Sequence, residues 1–300
     1  MWLELQIFGF RALWSPYYLL FVIALGLLYY LVTITFREKF TDKARPSSKQ
    51  LIYFYTGLVI LYLIKGSPID LLSHIMFTSH MVQMSLYYLV FPILIIKGIP
   101  EWIWRNVFSV PGLKQVLYLL TKPLIALLLF NGLFSMYHMP VIFDFAKANV
   151  IAHAVITTVI LVAAFLVWWP IFTPIKEMDK LSPLMKIGYI FANGVLITPA
   201  CGLIIFSGQS LYATYSETSG WIQAMSLCVP QSILNGLPLT GPQMFSPIPV
   251  LEDQQLGGIL MKIMQEIVYG FVLARIFFGW FNKSVDRVDP LPSTNTTTEA

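Results

Sequence analysis

Apolar residues fall in long runs along this chain, and polar residues collect between the runs. Seven runs stand out, at about 16–36, 51–67, 72–96, 115–137, 150–172, 185–207 and 256–281. A helix rises about 1.5 Å per residue, so roughly 20 apolar residues cross a hydrocarbon core of about 30 Å. The second run is short for this, and the others meet or approach it. None alternates apolar and polar positions as the strands of a membrane barrel do. The pattern predicts an all-α integral membrane seven-helix bundle, a single domain over residues 1–285. Residues 208–255, with "GLPLTGPQMFSPIP", read as a partly ordered loop holding a short helix at 220–234. The tail 286–300 has few apolar residues and is expected to lack fixed structure.

Composition removes the soluble alternatives. The chain is 57% hydrophobic and 11% charged, against roughly 25% charged in a soluble domain. Its net charge of +4 sits in loops, where it sets orientation and implies no nucleic-acid partner. Arg37, Lys39, Lys43, Arg45 and Lys49 follow the first run, and Lys97, Arg105, Lys114 and Lys122 follow the third. Lys176, Lys180 and Lys186 follow the fifth, and Lys283 and Arg287 the seventh. The opposite side holds Arg11, Lys65 and Lys147, and segment 208–255 has no lysine or arginine. Cytoplasmic loops carry the excess of Lys and Arg. The N-terminus is therefore expected outside, the C-terminus in the cytoplasm and the 208–255 loop on the extracytoplasmic side.

That topology puts His74, His80, His138 and His153 near the outer face. Met76, His80 and Met84 are spaced four apart, which places them on one stripe of a continuous helix. His138 lies in "SMYHMP", between Met136 and Met139. Imidazole with soft thioether suits Cu(I), and the lack of a carboxylate cluster argues against magnesium or calcium. The plainer reading is that methionine fills the apolar interior and each histidine makes an interfacial hydrogen bond. His74, six residues before His80, points to another face and is the weakest of the four. Cys201 and Cys228 form no CxxC pair or zinc pattern and read as structural.

The seventh run carries Lys262, Gln265 and Glu266, and Lys262 with Glu266 reads first as an ion pair along one helix. A polar path or docking point is the rival reading. Just before it, "DQQLGG" supplies Asp253, Gln254 and two glycines that allow close helix approach. Asp253 suits a helix cap, or an acceptor that orients a metal ligand. No nucleophile elbow, phosphate loop, HExxH or dinucleotide fingerprint occurs, so the protein is expected not to be an enzyme.

Four segments taken together, "SHMVQMSLYYLVFPILIIKGIP", "MYHMPVIFDFA", "AHAVITTVILVAAFLVWWPIFTP" and "DQQLGGILM", resemble the signatures of the CtaG family. These are multi-span assembly factors of bacterial cytochrome c oxidase, and the resemblance runs over residues 1–285. It implies a multi-pass plasma-membrane protein that helps build the oxidase, with an oxidase subunit and membrane lipid as partners. Copper would be carried as Cu(I) in an outer pocket of spans three, four, five and seven. Family histidines match His80, His138 and His153, and its acidic position matches Asp253. Met84 and Thr157 stand where the family often has further histidines, and an acid is missing after His153. The expected donors are thus His80, Met84, His138, His153 and Met76, with Asp253, Gln254, Lys262 and Glu266 as polar surroundings. Three rivals stay open: a metal-free scaffold or chaperone for an oxidase subunit, a bis-histidine haem protein, and a small-molecule transporter.

Overall fold

The computed structural model describes residues 2–41 and 44–285; the tail 286–300, expected to lack fixed structure, lies outside them. All regular structure among the described residues is helical. Ten helices matter for the site: α1 Pro16–Tyr30, α2 Ser48–Lys65, α3 Pro68–Ile75, α4 Phe77–Gly98, α5 Pro123–Tyr137, α6 Pro140–Ala148, α7 Val150–Phe172, α8 Pro183–Ile205, α9 Thr218–Met225 and α10 Val250–Val285. Five helices are long and apolar enough to cross a membrane, or up to seven if each of two bent pairs is one span. This is the pattern of a multi-pass membrane protein. Large apolar side chains such as Val162, Phe191 and Phe271 face outward, where lipid rather than water would meet them.

Local sequence explains where the helices start. Ser47 and Gln50 form a reciprocal capping box on α2: Gln50 N donates to Ser47 Oγ at 3.3 Å and Ser47 N to Gln50 Oε1 at 2.9 Å. Asn149 Oδ1 accepts the amides of Ile151 and Ala152, both at 3.0 Å, and opens α7. Proline occupies the first turn of α1, α3, α5, α6 and α8, where its missing N–H costs nothing.

Two expected spans are broken. The run 72–96 is interrupted at Met76, whose backbone is extended (φ −127°, ψ 136°). Its first residues belong to α3, which bends from α2 by 44°. The run 115–137 divides into a short helix, Leu113–Leu120, and α5, bent by 82°. Pro123 is the cause: it cannot donate backward, and it holds Lys122 extended (ψ 132°). With 15 residues, α5 is about 22 Å long. The expected helix at 220–234 is also two pieces, Thr218–Met225 and Gln231–Leu234.

Within α4, Pro92 is accommodated by a π-helical turn over Leu86–Val90. A proline at 92 leaves the Tyr88 carbonyl without its usual donor four residues on. Trp168 of α7 fills that role, its indole N–H donating to Tyr88 O at 3.1 Å. The "WWP" segment therefore secures the break in α4.

Apolar packing divides into a bundle core, a cap, and a third cluster in which Val22 and Tyr29 of α1 and Phe54 and Leu58 of α2 pack with Phe91 and Ile95 of α4. Phe77, Met84, Phe130, Phe134, Trp168, Ile190 and Met261 belong to the core. The cap packs Leu5, Phe8 and Leu13 of the N-terminal segment on Leu71 and Ile75 of α3 and on Trp221, Val229 and Phe245 of the 206–249 loop. At the opposite end, Arg105 pairs with Glu101 at 2.6 Å and Glu177 at 2.8 Å, and Lys186 with Asp179 at 2.7 Å.

Candidate functional site

The site lies under the cap, where α4 begins. Breaking the backbone at Met76 exposes the first amides of α4, and "DQQLGG" of α10 answers them. Asp253 Oδ2 accepts Phe77 N at 2.6 Å and Oδ1 accepts Thr78 N at 3.3 Å, while the Asp253 carbonyl accepts the Thr78 hydroxyl at 2.9 Å. Gln254 accepts Leu211 N at 2.7 Å and reaches Ile204 O, and Gln255 donates to Ser207 O at 3.0 Å. A Cβ on Gly257 would stand 2.7 Å from the Phe77 ring, and one on Gly258 would stand 2.8 Å from Ile205. The segment is a clasp between α10, α4 and the end of α8. Asp253 does act as a cap, but for α4 rather than for its own helix. Neither Asp253 nor Gln254 makes a hydrogen bond to a histidine ring among the described residues.

His80 follows one turn into α4 and is fully buried. Neither of its ring nitrogens has a hydrogen-bond partner. Its ring centre lies 6.2 Å from that of His138, which terminates α5. His138 Nδ1 donates to Phe134 O at 2.8 Å. A carbonyl can only accept, so this bond puts the proton on Nδ1 and leaves Nε2 as a lone pair. That Nε2 is buried and unpartnered. Aromatic rings wall the pair: Phe143 stands edge-on to His80 at 5.1 Å, Tyr137 edge-on to His138 at 5.1 Å. Tyr212, reaching down from the 206–249 loop, donates to His138 O at 2.8 Å and packs on Phe143 at 4.5 Å.

The other expected donors divide. Met84 is buried in the core one turn beyond His80, on the same helical face. Met76 is separated from it: the extended residue breaks the stripe and its side chain joins the cap cluster. Met136 and Met139 are exposed. His153 stands beside His74, ring centres 5.8 Å apart. No set of three His, Cys, Asp or Glu donors that includes His80, His138 or His153 closes to within 4.8 Å among the described residues. Lys262 pairs with Glu266 at 2.7 Å and also donates to Thr198 and Gln265. Both face the half-exposed α8–α10 seam, a structural ion pair apart from the histidines.

Sequence reasoning missed a second constellation. Asp70, His74 and Cys228 place ligand atoms within 4.8 Å of one another. The Cys228 thiol donates to Asp70 Oδ2 at 3.4 Å. Asp70 Oδ1 receives Gln83 at 2.6 Å and Lys65 at 3.6 Å. Lys147 of α6 is 1% exposed, with Nζ 3.3 Å from His74 Nδ1 and 3.4 Å from Ser73 O. Burial, reinforced by Lys65, pushes the Lys147 ammonium down to about 7. Burial and then the Asp70 charge push the Cys228 thiol well up from its ordinary value. The usable sequence signal was the i, i+4 pair Asp70 and His74, which shares one face of α3. Cys228 and Cys201 are both free, one in the cap and one in the core.

A family described as cytochrome c oxidase caa3 assembly factor (Caa3_CtaG) matches residues 27–283. The chain belongs to this family. It is thus a cytochrome c oxidase assembly factor, and its association is with that oxidase. Both constellations of the CtaG-family chain fall inside the matched residues. No curated protein matches, and no solved structure does.

Proposed function

We propose that this assembly factor receives Cu(I) as cargo between His80 and His138 and passes it to an oxidase subunit outside the plasma membrane. One observation carries the reading: three imidazole nitrogens, both of His80 and Nε2 of His138, are buried without partners, on rings 6.2 Å apart. Leaving a buried polar group unpaired costs about 1–3 kcal/mol, and a soft cation removes that cost. Two imidazoles facing one ion at about 2.0 Å per bond put their ring centres about 6 Å apart. Cu(I) tolerates such low coordination, and Met84 adds a soft donor one turn along. Few ligands also suit release. The aromatic wall keeps water from the ion, and Tyr212, tied to the His138 carbonyl, links the site to the outer loop.

The orientation belongs to the same proposal. Seven spans, with each bent pair counted as one, put the N-terminus outside and the basic loops in the cytoplasm. The cap and both histidine pairs then face outward. Haem between the same rings is disfavoured, because Phe143 and Tyr137 already pack at 5.1 Å from the imidazoles.

Anaerobic Cu(I) titration of the purified protein against a chromophoric chelator tests the reading, alongside the copper content of the oxidase in cells. His80→Ala and His138→Ala should each remove one equivalent of bound Cu(I) and leave the oxidase copper-poor. Wild-type protein that supports assembly without competing for Cu(I) would establish the metal-free scaffold instead.

A further inference from the structure

We infer that Asp70, His74 and Cys228 form a second, outward-opening Cu(I) site with a thiolate ligand. The three side chains come from two elements, α3 and the loop after α9, and their ligand atoms already lie within 4.8 Å. A metal holding nitrogen, oxygen and sulfur at about 2.0–2.3 Å draws such atoms to roughly 3.5 Å. Cys228 Sγ and Asp70 Oδ2 stand at 3.4 Å now. This site has a way in: Cys228 lines an open cleft of about 690 Å³ between the N-terminal segment and the 226–231 loop, with Arg11, Ser15, Tyr17 and Gln231 on its walls.

The surroundings select the ion. A thiolate with an imidazole prefers soft or borderline metals, and a single carboxylate with no ring of oxygens is a poor calcium or magnesium site. Lys65 holds Asp70 and Lys147 approaches His74. The Lys65 ammonium, 3.6 Å from Asp70 Oδ1, repels a divalent ion about twice as strongly as a monovalent one. Cu(I) meets both conditions. Binding exchanges one proton for the ion: the Sγ–H bond breaks, the Cu–S bond forms, and the proton leaves by Asp70 Oδ2 to water in the cleft. No electron moves. The site does not depend on the His80–His138 pair.

Alkylation of the full-length protein in detergent tests this, read by mass spectrometry at the Cys228 peptide with and without chelator-buffered Cu(I). Cu(I) should slow Cys228 alkylation at least tenfold in the wild type. Protection should persist in a His80→Ala/His138→Ala variant and be lost in His74→Ala and Asp70→Asn. X-ray absorption of the loaded protein should show sulfur at about 2.3 Å, the metal–thiolate distance, that disappears in Cys228→Ser. Equal alkylation rates with and without Cu(I) in the wild type would overturn the site, and that measurement needs no variant to fold. Protection by Zn(II) but not Cu(I) would overturn the choice of ion. Loss of protection only in the His80→Ala/His138→Ala variant would show one site rather than two.

Discussion

Asp253 of α10 holds the backbone amide of Phe77 across 176 residues of chain, with Oδ2 at 2.6 Å from the nitrogen. This bond closes the N-terminus of α4 three residues before His80. The helix that carries the candidate ligand is therefore aimed from the start of the last span.

Replacing Asp253 by Ala orphans two amides, the buried Phe77 N and the part-buried Thr78 N. Loss of an N-terminal cap costs about 0.5–2 kcal/mol, and burial places this one at the upper end. Asp253→Ala should lower the thermal midpoint in detergent and speed hydrogen exchange at the Phe77 and Thr78 amides. Asp253→Asn, which keeps one acceptor oxygen, should lose less. Equal midpoints for all three proteins would show that the clasp does not hold α4.

Trp168 and Pro92 form a compensating pair, because the indole supplies the bond that the proline withholds from Tyr88 O. Trp168→Phe leaves that carbonyl buried and unsatisfied at a cost of about 1–3 kcal/mol. Adding Pro92→Ala restores a backbone N–H. The double variant should be less destabilised than the two single changes added together, with a coupling of about 1 kcal/mol in a double-mutant cycle. Strict additivity would mean the indole bond contributes nothing to stability.

What the sequence made legible follows from its physics. Lipid demands long apolar runs, so an all-helical, multi-span chain could be read directly, as could the close approach at Gly257 and Gly258. The breaks were harder. Nothing in "LLSHIMFTSH" marks Met76 as extended, because the break is held by a carboxylate from the other end of the chain. Reading 72–96 as one helix then put Met76 on the His80 stripe and hid the Asp70–His74 face. His80 and His138 were legible as residues, but their pairing, with His153 turned to His74, is tertiary. Cys228 lies in a loop with no periodicity. Lys147 read as one of the outer-side lysines and is instead buried.

That buried lysine makes stability depend on pH in a defined direction. Its ordinary value of 10.5 is pushed down to about 7, chiefly by burial. Between those values the unfolded chain holds more protons at this position than the folded one, so this group's contribution makes stability rise with pH. Below about 7 both states are protonated and the full penalty applies. Lys147→Met should therefore raise the thermal midpoint most, and by a constant amount, below pH 7. The gain should fade as pH climbs towards 10.5. Ser73 O keeps its bond from the Tyr215 hydroxyl at 2.6 Å, so the change orphans no carbonyl. A gain that grows with pH would reverse the assignment.

Two glycines of α10 test the clasp without touching a polar group. A Cβ on Gly257 would stand 2.7 Å from Phe77 Cδ1 and 3.2 Å from Phe77 O, and one on Gly270 would have nothing within 4 Å. Helix propensity favours alanine over glycine by about 1 kcal/mol at both positions. Overpacking a tight contact costs about 1–3 kcal/mol. The Phe77 ring is stacked on Tyr212 at 4.9 Å and its amide is held by Asp253, so it has little room to yield. Gly270→Ala should therefore leave the thermal midpoint unchanged or raise it. Gly257→Ala should lower the midpoint and, by displacing the first turn of α4, weaken Cu(I) binding at His80. If the two substitutions behave alike, α10 does not position α4 through this contact.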